Sequence, residues 1–285
     1  MKRAYADTHL GQIHLRLLEP GEQGRPALGE DSTPPLAGGE PPLLCLHPFP
    51  YSGSFFDTIA PLLGERRLVC APDCPGFGGS DPPERMLSME ELATAMLEAV
   101  EDSGEFGAEA VDLLGFHSGC LLAVEMARLK PERVRRMVLV DVPYFTPEQQ
   151  AARYPKSTAD TRYTAHLSSL ANAWEFAVAK RLDGMPFNRA FSNFVELLRA
   201  GERANWGYHA TLTYDCASRF RAVEHETLVV ASQYMLNEHT RRAAADIPGA
   251  RFVERKDVTR AVMEEGASAI AEEVLAFLSR ITPMR

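Results

Sequence analysis

The stretch GFHSG, residues 115–119, holds two side chains that could do chemistry: an imidazole at position 117 and a hydroxyl at position 118. It follows the apolar run VDLL and precedes CLLAVEMARL, whose apolar spacing is helical, so it is read as a tight strand-to-helix turn. A reactive side chain on such a turn stands on a strained backbone. The residues two before and two after it must be small, or strand and helix cannot approach. With His117 at the tip those positions are Gly115 and Gly119; with Ser118 at the tip they are Phe116 and Cys120, and a phenylalanine crowds the turn. The spacing favours His117. Its ring would meet the positive end of the helix dipole, and burial also disfavours imidazolium, so its expected pKa lies below the ordinary value of about 6.5. A neutral imidazole can take a proton from water or substrate, attack a carbonyl, or hold an intermediate by hydrogen bonding. A histidine that only fills the turn of an inactive relic is one alternative. A serine esterase using Ser118 through a slipped turn is another.

The elements that must position this turn are legible along the 285 residues, of which 45% are apolar. A chain of that size buries roughly 75% of its unfolded surface, enough for one large domain with an insert. Two short strands are expected around Gly11, the second ending in the alternating HLRLL. Short apolar runs of the buried, parallel-sheet type follow at LLCLH, RLVCAPD, VDLLGF, RMVLVDVP, ETLVVAS and ARFVER. Between them, helical spacing spans 56–63, 89–103, 120–129, 240–246 and 267–281. Strand and helix alternate, which predicts an α/β fold with a mostly parallel central sheet flanked by helices. The expected core is 1–145 with 224–285. The alternation stops over 146–223, read as an inserted, mainly helical lid. The Pro- and Gly-rich segment at about 20–42 is expected to be a mobile surface loop.

Three stretches together resemble the α/β-hydrolase fold superfamily. LLCLHPFPYSGSFFDTIAPLL is similar to the H-G-x-P loop after the third strand, and APDCPGFGGSDPP to the D-x-x-G-x-G-x-S loop after the fourth. VDLLGFHSGCLLAVEMARLKPERVRRMVLVDVP resembles the nucleophile elbow, its helix and the next strand. The elbow itself resembles a subset of members with G-[YF]-H-[ST]-G in place of the serine motif. The resemblance implies an α/β-hydrolase fold, and an oxyanion hole built from the backbone N–H groups of Phe49 and Ser118. It also implies a Ser-His-Asp triad, which this chain departs from. Gln233, Tyr234 and Met235 stand where the family acid usually lies, and Arg260 where the family histidine does. Asp141, at the end of the strand after the elbow helix, is the remaining candidate acid, against a reading in which it only fixes a neighbouring loop.

The catalytic candidates are therefore His117, Asp141 and Ser118. His47, which shapes the oxyanion loop, is grouped with Tyr51, Phe116, Tyr144 and His209 as expected substrate-binding residues. The aromatics suit an apolar or aromatic molecule, because open α/β sheets bind ligands at the carboxyl ends of their strands. The function expected is ester or lactone hydrolysis, or a related acid-base reaction, at a non-standard centre around His117. A degenerate small-molecule binding protein is the alternative. Five cysteines without C-x-x-C spacing are read as buried free thiols, so no metal and no cofactor are expected. A net charge of -9 gives no general attraction to nucleic acid or anionic membrane, and no apolar leader or membrane span is evident. The expected partner is a small molecule and the expected location cytoplasmic. A homo-oligomer is compatible with all of this.

Overall fold

The structure, a computed structural model, describes residues 1–21, 40–107, 110–159 and 163–280. Strands β1 (Lys2–Thr8) and β2 (Gly11–Leu18) form a hairpin. Its turn residue Gly11 has a φ of +99° that side-chain-bearing residues rarely adopt. The chain continues through β3 (Leu43–Leu46), α1 (Ala60–Leu63), β4 (Val69–Pro72), α2 (Met89–Asp102) and β5 (Val111–Phe116). Helix α3 (Ser118–Leu129) and β6 (Val134–Val140) follow. Five helices come next: α4 (Pro147–Ser157), α5 (Ala171–Ala177), α6 (Phe187–Ala200), α7 (Trp206–Leu212) and α8 (Cys216–Arg221). The core resumes with β7 (Glu226–Ser232), α9 (Asn237–Asp246), β8 (Arg251–Arg255) and α10 (Ala267–Leu278).

The eight strands make one sheet in the order β1-β2-β4-β3-β5-β6-β7-β8, parallel from β4 to β8 and antiparallel at β2. This is the expected fold class. β3 and β5 are neighbours although β4 lies between them in sequence. The chain therefore leaves β3 in one direction and β5 in the other, and the loops after these two strands flank the crevice where the order reverses.

β3, β4 and β5 are buried at every position, which is why their sequences read as largely apolar runs; the one charge among them, Asp112 on β5, is paired with the buried Arg67 at 2.9 Å. One core lies under α2, α3, α8 and α9; the second lies under α1 and α10 on the other face. Helix α2 starts with a capping box, Ser88 accepting from the Glu91 N–H and the Glu91 carboxylate accepting from the Ser88 N–H. The helix expected over 56–63 is split into a short turn at Gly53–Phe56, capped by Ser52, and the single turn of α1. Pro61, with no N–H to donate, marks where α1 can begin. Between β6 and β7 every described element is helical. Positions 22–39, most of the expected loop at about 20–42, lie outside the described residues.

Candidate active site

The tip of the turn after β5 is His117. It has φ 50° and ψ -122° and is the N-cap of α3, while Ser118 is the first helical residue. A non-glycine backbone in that region costs on the order of 1–3 kcal/mol. Only very small neighbours permit it. A Cβ added at Gly115 would lie 2.6 Å from the Gly119 carbonyl oxygen, and one added at Gly119 would lie 1.9 Å from the Leu46 carbonyl oxygen. The turn is held by the His117 N–H donating to Val140 at 3.1 Å and by the Cys120 N–H donating to the His117 carbonyl at 2.8 Å.

His117 lines a cavity of about 410 Å³ walled by the loop after β3, the turn after β5 and the helices between β6 and β7. Its ring lies 4.2 Å from that of Phe116, and its Nε2 is buried without a hydrogen-bond partner. Burial, with a smaller contribution from the positive charge of Arg181, pushes its pKa down to about 3. The lowering was expected, but its second cause is an arginine from the segment between α5 and α6 that no motif announced.

Asp141 does not reach the ring in the role expected of an acid. It sits just past β6 with φ 52°, fully buried, and its carboxylate accepts from the Ser232 N–H at 2.8 Å and from the Ser232 Oγ at 2.6 Å. Both oxygens are thereby committed to the end of β7. Burial raises its pKa, and the Ser232 hydrogen bonds oppose the rise. The positions read as lost from a triad hold Met235, largely exposed at the cavity, and Arg260, exposed and paired with Glu265 at 2.9 Å.

Phe49 and Ser118, the expected oxyanion pair, do meet. The Phe49 N–H, however, already donates to the Ser118 Oγ at 2.8 Å. Tyr51 and Phe116 line the cavity, with Phe116 stacked 5.4 Å from Phe55. Three residues expected in the pocket are turned away from it. The His47 ring is fully buried beneath the loop, its Nε2 accepting from the Cys74 N–H at 2.9 Å and its Nδ1 lying 3.1 Å from the Pro48 carbonyl. Tyr144 donates its hydroxyl to Asp246 and packs edge-on against Phe220. His209 on α7 bonds the hydroxyl of Tyr154 on α4 through Nδ1 at 2.7 Å.

Arg181, Tyr208 and Tyr234 were missed as cavity residues. For Tyr208 a signal existed: Tyr208, Thr211 and Leu212 are spaced i, i+3, i+4 on α7 and all line the cavity, which turns His209 off that face. Gly207 on the same helix packs against Phe49, a Cβ there falling 2.3 Å from its ring. Arg181 and Tyr234 stand in no recognisable pattern. All five cysteines are buried free thiols. Among the described residues no group of three His, Cys, Asp or Glu could hold a metal ion, and no helix is long and apolar enough to cross a membrane.

The model of the alpha/beta hydrolase fold matches residues 41–266, which carry the turn after β5, the loop after β3 and the helices between β6 and β7. The chain belongs to the alpha/beta hydrolase fold family. Among curated relatives of this hydrolase-fold chain is the pimeloyl-[acyl-carrier protein] methyl ester esterase of Aromatoleum aromaticum. It is 30% identical over 135 residues, 46% of this chain and 50% of the relative. The 2-hydroxy-6-oxononadienedioate/2-hydroxy-6-oxononatrienedioate hydrolase of Cupriavidus pinatubonensis is 37% identical over 87 residues, 30% of this chain and 29% of the relative. The chain thus spans half or less of the length of these relatives. The enol-lactonase structure from Burkholderia xenovorans LB400 superimposes with a TM-score of 0.75 at 21% identity, covering 97% of this chain and 100% of that one.

Proposed function

We propose that this alpha/beta hydrolase fold protein hydrolyses an ester or lactone of a small apolar or aromatic molecule at a centre built on His117. The observation that carries the reading is a buried, unpartnered Nε2 on a strained turn facing a preformed cavity. A buried polar atom without a partner costs on the order of 1–3 kcal/mol, and the strained backbone adds to it. Packing alone gives no reason to keep both at one residue. The esterase, hydrolase and lactonase relatives favour the same class of reaction.

In this reading the neutral ring takes a proton from water as the water oxygen bonds to the acyl carbon. The tetrahedral oxyanion is received by the Ser118 N–H, at the free end of α3, and by the Ser118 hydroxyl. That hydroxyl accepts from the Phe49 N–H and keeps its own proton to give. As the intermediate collapses, the C–O bond to the leaving group breaks and His117 returns the proton to the departing alkoxide.

The test is turnover of short acyl esters, thioesters and lactones by wild type and by His117→Ala. Turnover lost in the variant while the fold persists supports the assignment, and turnover unchanged in the variant removes it. Among the described residues no carboxylate pairs with the ring, which favours a second reading, a binding protein. A ligand that raises the melting temperature and is never consumed would establish that reading.

A further inference from the structure

The wall of the cavity carries four cationic side chains, Arg153, Lys180, Arg181 and Arg260, against two carboxylates, Asp183 and Glu264. That excess stands out in a chain of net charge -9. Most of these charges are already answered. Arg260 pairs with Glu265 at 2.9 Å, Lys180 lies 3.9 Å from Glu175, and Glu264 is held by Arg189 and Thr58. Asp183 is exposed at the rim, and Arg153 is exposed on the ring of Phe145, 4.5 Å from its centroid.

Arg181 differs. It is half-buried, and all its recorded contacts are neutral. The guanidinium donates to the Tyr234 hydroxyl and, at 3.3 Å, to the Phe176 carbonyl. It also lies 5.2 Å from the Phe176 ring centroid and 5.7 Å from that of Tyr234. No carboxylate within the described residues forms an ion pair with it. Its charge nonetheless reaches the reacting end of the cavity: it adds to the lowering of His117 and opposes the burial-driven rise of Tyr51 and Tyr208. Neither of those phenol hydroxyls has a hydrogen-bond partner within the described residues, and both residues line the cavity. Arg181 and the hydroxyls of Tyr51 and Tyr208 thus line one cavity as hydrogen-bond donors that a bound acceptor could use. A half-buried guanidinium with no carboxylate beside it favours an anionic partner, and its planar fork matches a carboxylate.

We propose that Arg181, with the hydroxyls of Tyr51 and Tyr208, is the binding site for a carboxylate carried by the substrate at a position remote from the bond that reacts. The substrate class narrows accordingly from a neutral apolar ester to the half-ester or lactone of an apolar acid that keeps one free carboxylate. Arg181 sets specificity and positions this group. It takes no part in the proton transfers at His117. The inference rests on the cavity being the substrate site, so binding and turnover are read separately.

Phenylacetate and its neutral isostere phenylacetamide serve as binding probes, followed by calorimetry, with the His117 ring-proton resonances reporting that the cavity is the place occupied. A charge-assisted pair in a shielded site predicts that phenylacetate binds roughly ten- to a hundredfold more tightly than the amide. Arg181→Gln should bring the two together by weakening phenylacetate alone. Tyr234→Phe, which removes only the hydroxyl that holds the guanidinium, should weaken phenylacetate by a smaller factor with amide binding unchanged. Equal binding of the two probes to wild type, no saturable binding of phenylacetate, or a preference that survives Arg181→Gln overturns the proposal. For turnover, monomethyl phenylsuccinate is compared with dimethyl phenylsuccinate. Faster hydrolysis of the monoanion supports the carboxylate site, whereas faster hydrolysis of the diester overturns it and leaves the hydrolytic reading of His117 standing. Acid-selective binding with neither ester consumed supports the carboxylate site and removes the hydrolytic reading.

Discussion

The Ser118 Oγ accepts the backbone N–H of Phe49 at 2.8 Å, so the side chain of the residue after the turn occupies one of the two N–H donors that the expected oxyanion site would use. Ser118 is 6% exposed and lines the cavity, and its hydroxyl proton is the donor left over for a substrate oxygen. Removing one oxyanion donor costs about two to three orders of magnitude where nothing replaces it. In Ser118→Ala the freed Phe49 N–H replaces it partly, so the expected loss in kcat is roughly tenfold. Steady-state kinetics check this, together with fluorophosphonate labelling. Complete loss of activity, with wild-type label on Ser118, would establish the serine as nucleophile instead.

The pKa of His117, pushed down to about 3 by burial and then by Arg181, fixes two pH dependences. The ring stays neutral throughout the ordinary histidine titration range, so a rate that depends on it as base is level through pH 6.5 and falls only toward about pH 3. Stability has a definite sign as well. The unfolded chain binds a proton at His117 near pH 6.5 and the folded chain does not, so stability declines as pH drops from about 6.5 toward 3. Denaturant midpoints measured across that window should show a shallower decline for His117→Gln than for wild type.

How far the sequence carries depends on what each feature rests on. Strands β3 to β7 are legible because buried parallel strands read as largely apolar runs, and β1 and β2 because their hairpin turns at a glycine; the edge strand β8 has no buried residue and shows only its central Phe252 and Val253. The tip of the turn is legible because Gly115 and Gly119 answer a steric demand that a Phe116 and Cys120 register cannot meet. The orientation of a polar side chain carries no such demand. Asp141 was a candidate acid because it ends the right strand, but the hydroxyl and N–H that capture it belong to Ser232, 91 residues away. Tyr144 and His209 likewise turn toward Asp246 and Tyr154, partners that only the folded α9, α4 and α7 bring near. Arg181 escaped notice because a lone arginine has no pattern. What sets it apart is that no carboxylate among the described residues pairs with it, which only the assembled cavity defines.

Asp141→Asn tests whether that carboxylate acts on the ring. An asparagine can accept from the Ser232 N–H through Oδ1 and donate to the Ser232 Oγ through Nδ2, so both hydrogen bonds survive. The expected stability at neutral pH lies within about 1 kcal/mol of wild type, whereas Asp141→Ala strands the Ser232 N–H and costs about 1–3 kcal/mol. Burial raises the carboxyl pKa in the folded state, so the stabilising contribution of Asp141 is full at low pH and is lost as pH rises through that raised value. The asparagine variant lacks this loss. An NMR titration of His117 in Asp141→Asn should return the wild-type pKa, and a shift would show that the two groups interact.

Gly119 offers the sharpest steric prediction. A methyl group at this position falls 1.9 Å from the Leu46 carbonyl oxygen and 2.6 Å from its carbon, both backbone atoms of a fully buried central strand that cannot yield without disturbing its pairing with β5. Gly119→Ala should therefore cost about 3 kcal/mol or more, at the upper end of overpacking substitutions, and lower the melting temperature by roughly 6–12 °C. Gly104 is the control. It has φ +68° but nothing within 4 Å of an added Cβ, so Gly104→Ala carries only the backbone penalty of about 1–2 kcal/mol. Thermal melts of the two variants side by side separate crowding from backbone strain. Equal losses would mean that the close approach of the turn to β3 is not what constrains residue 119.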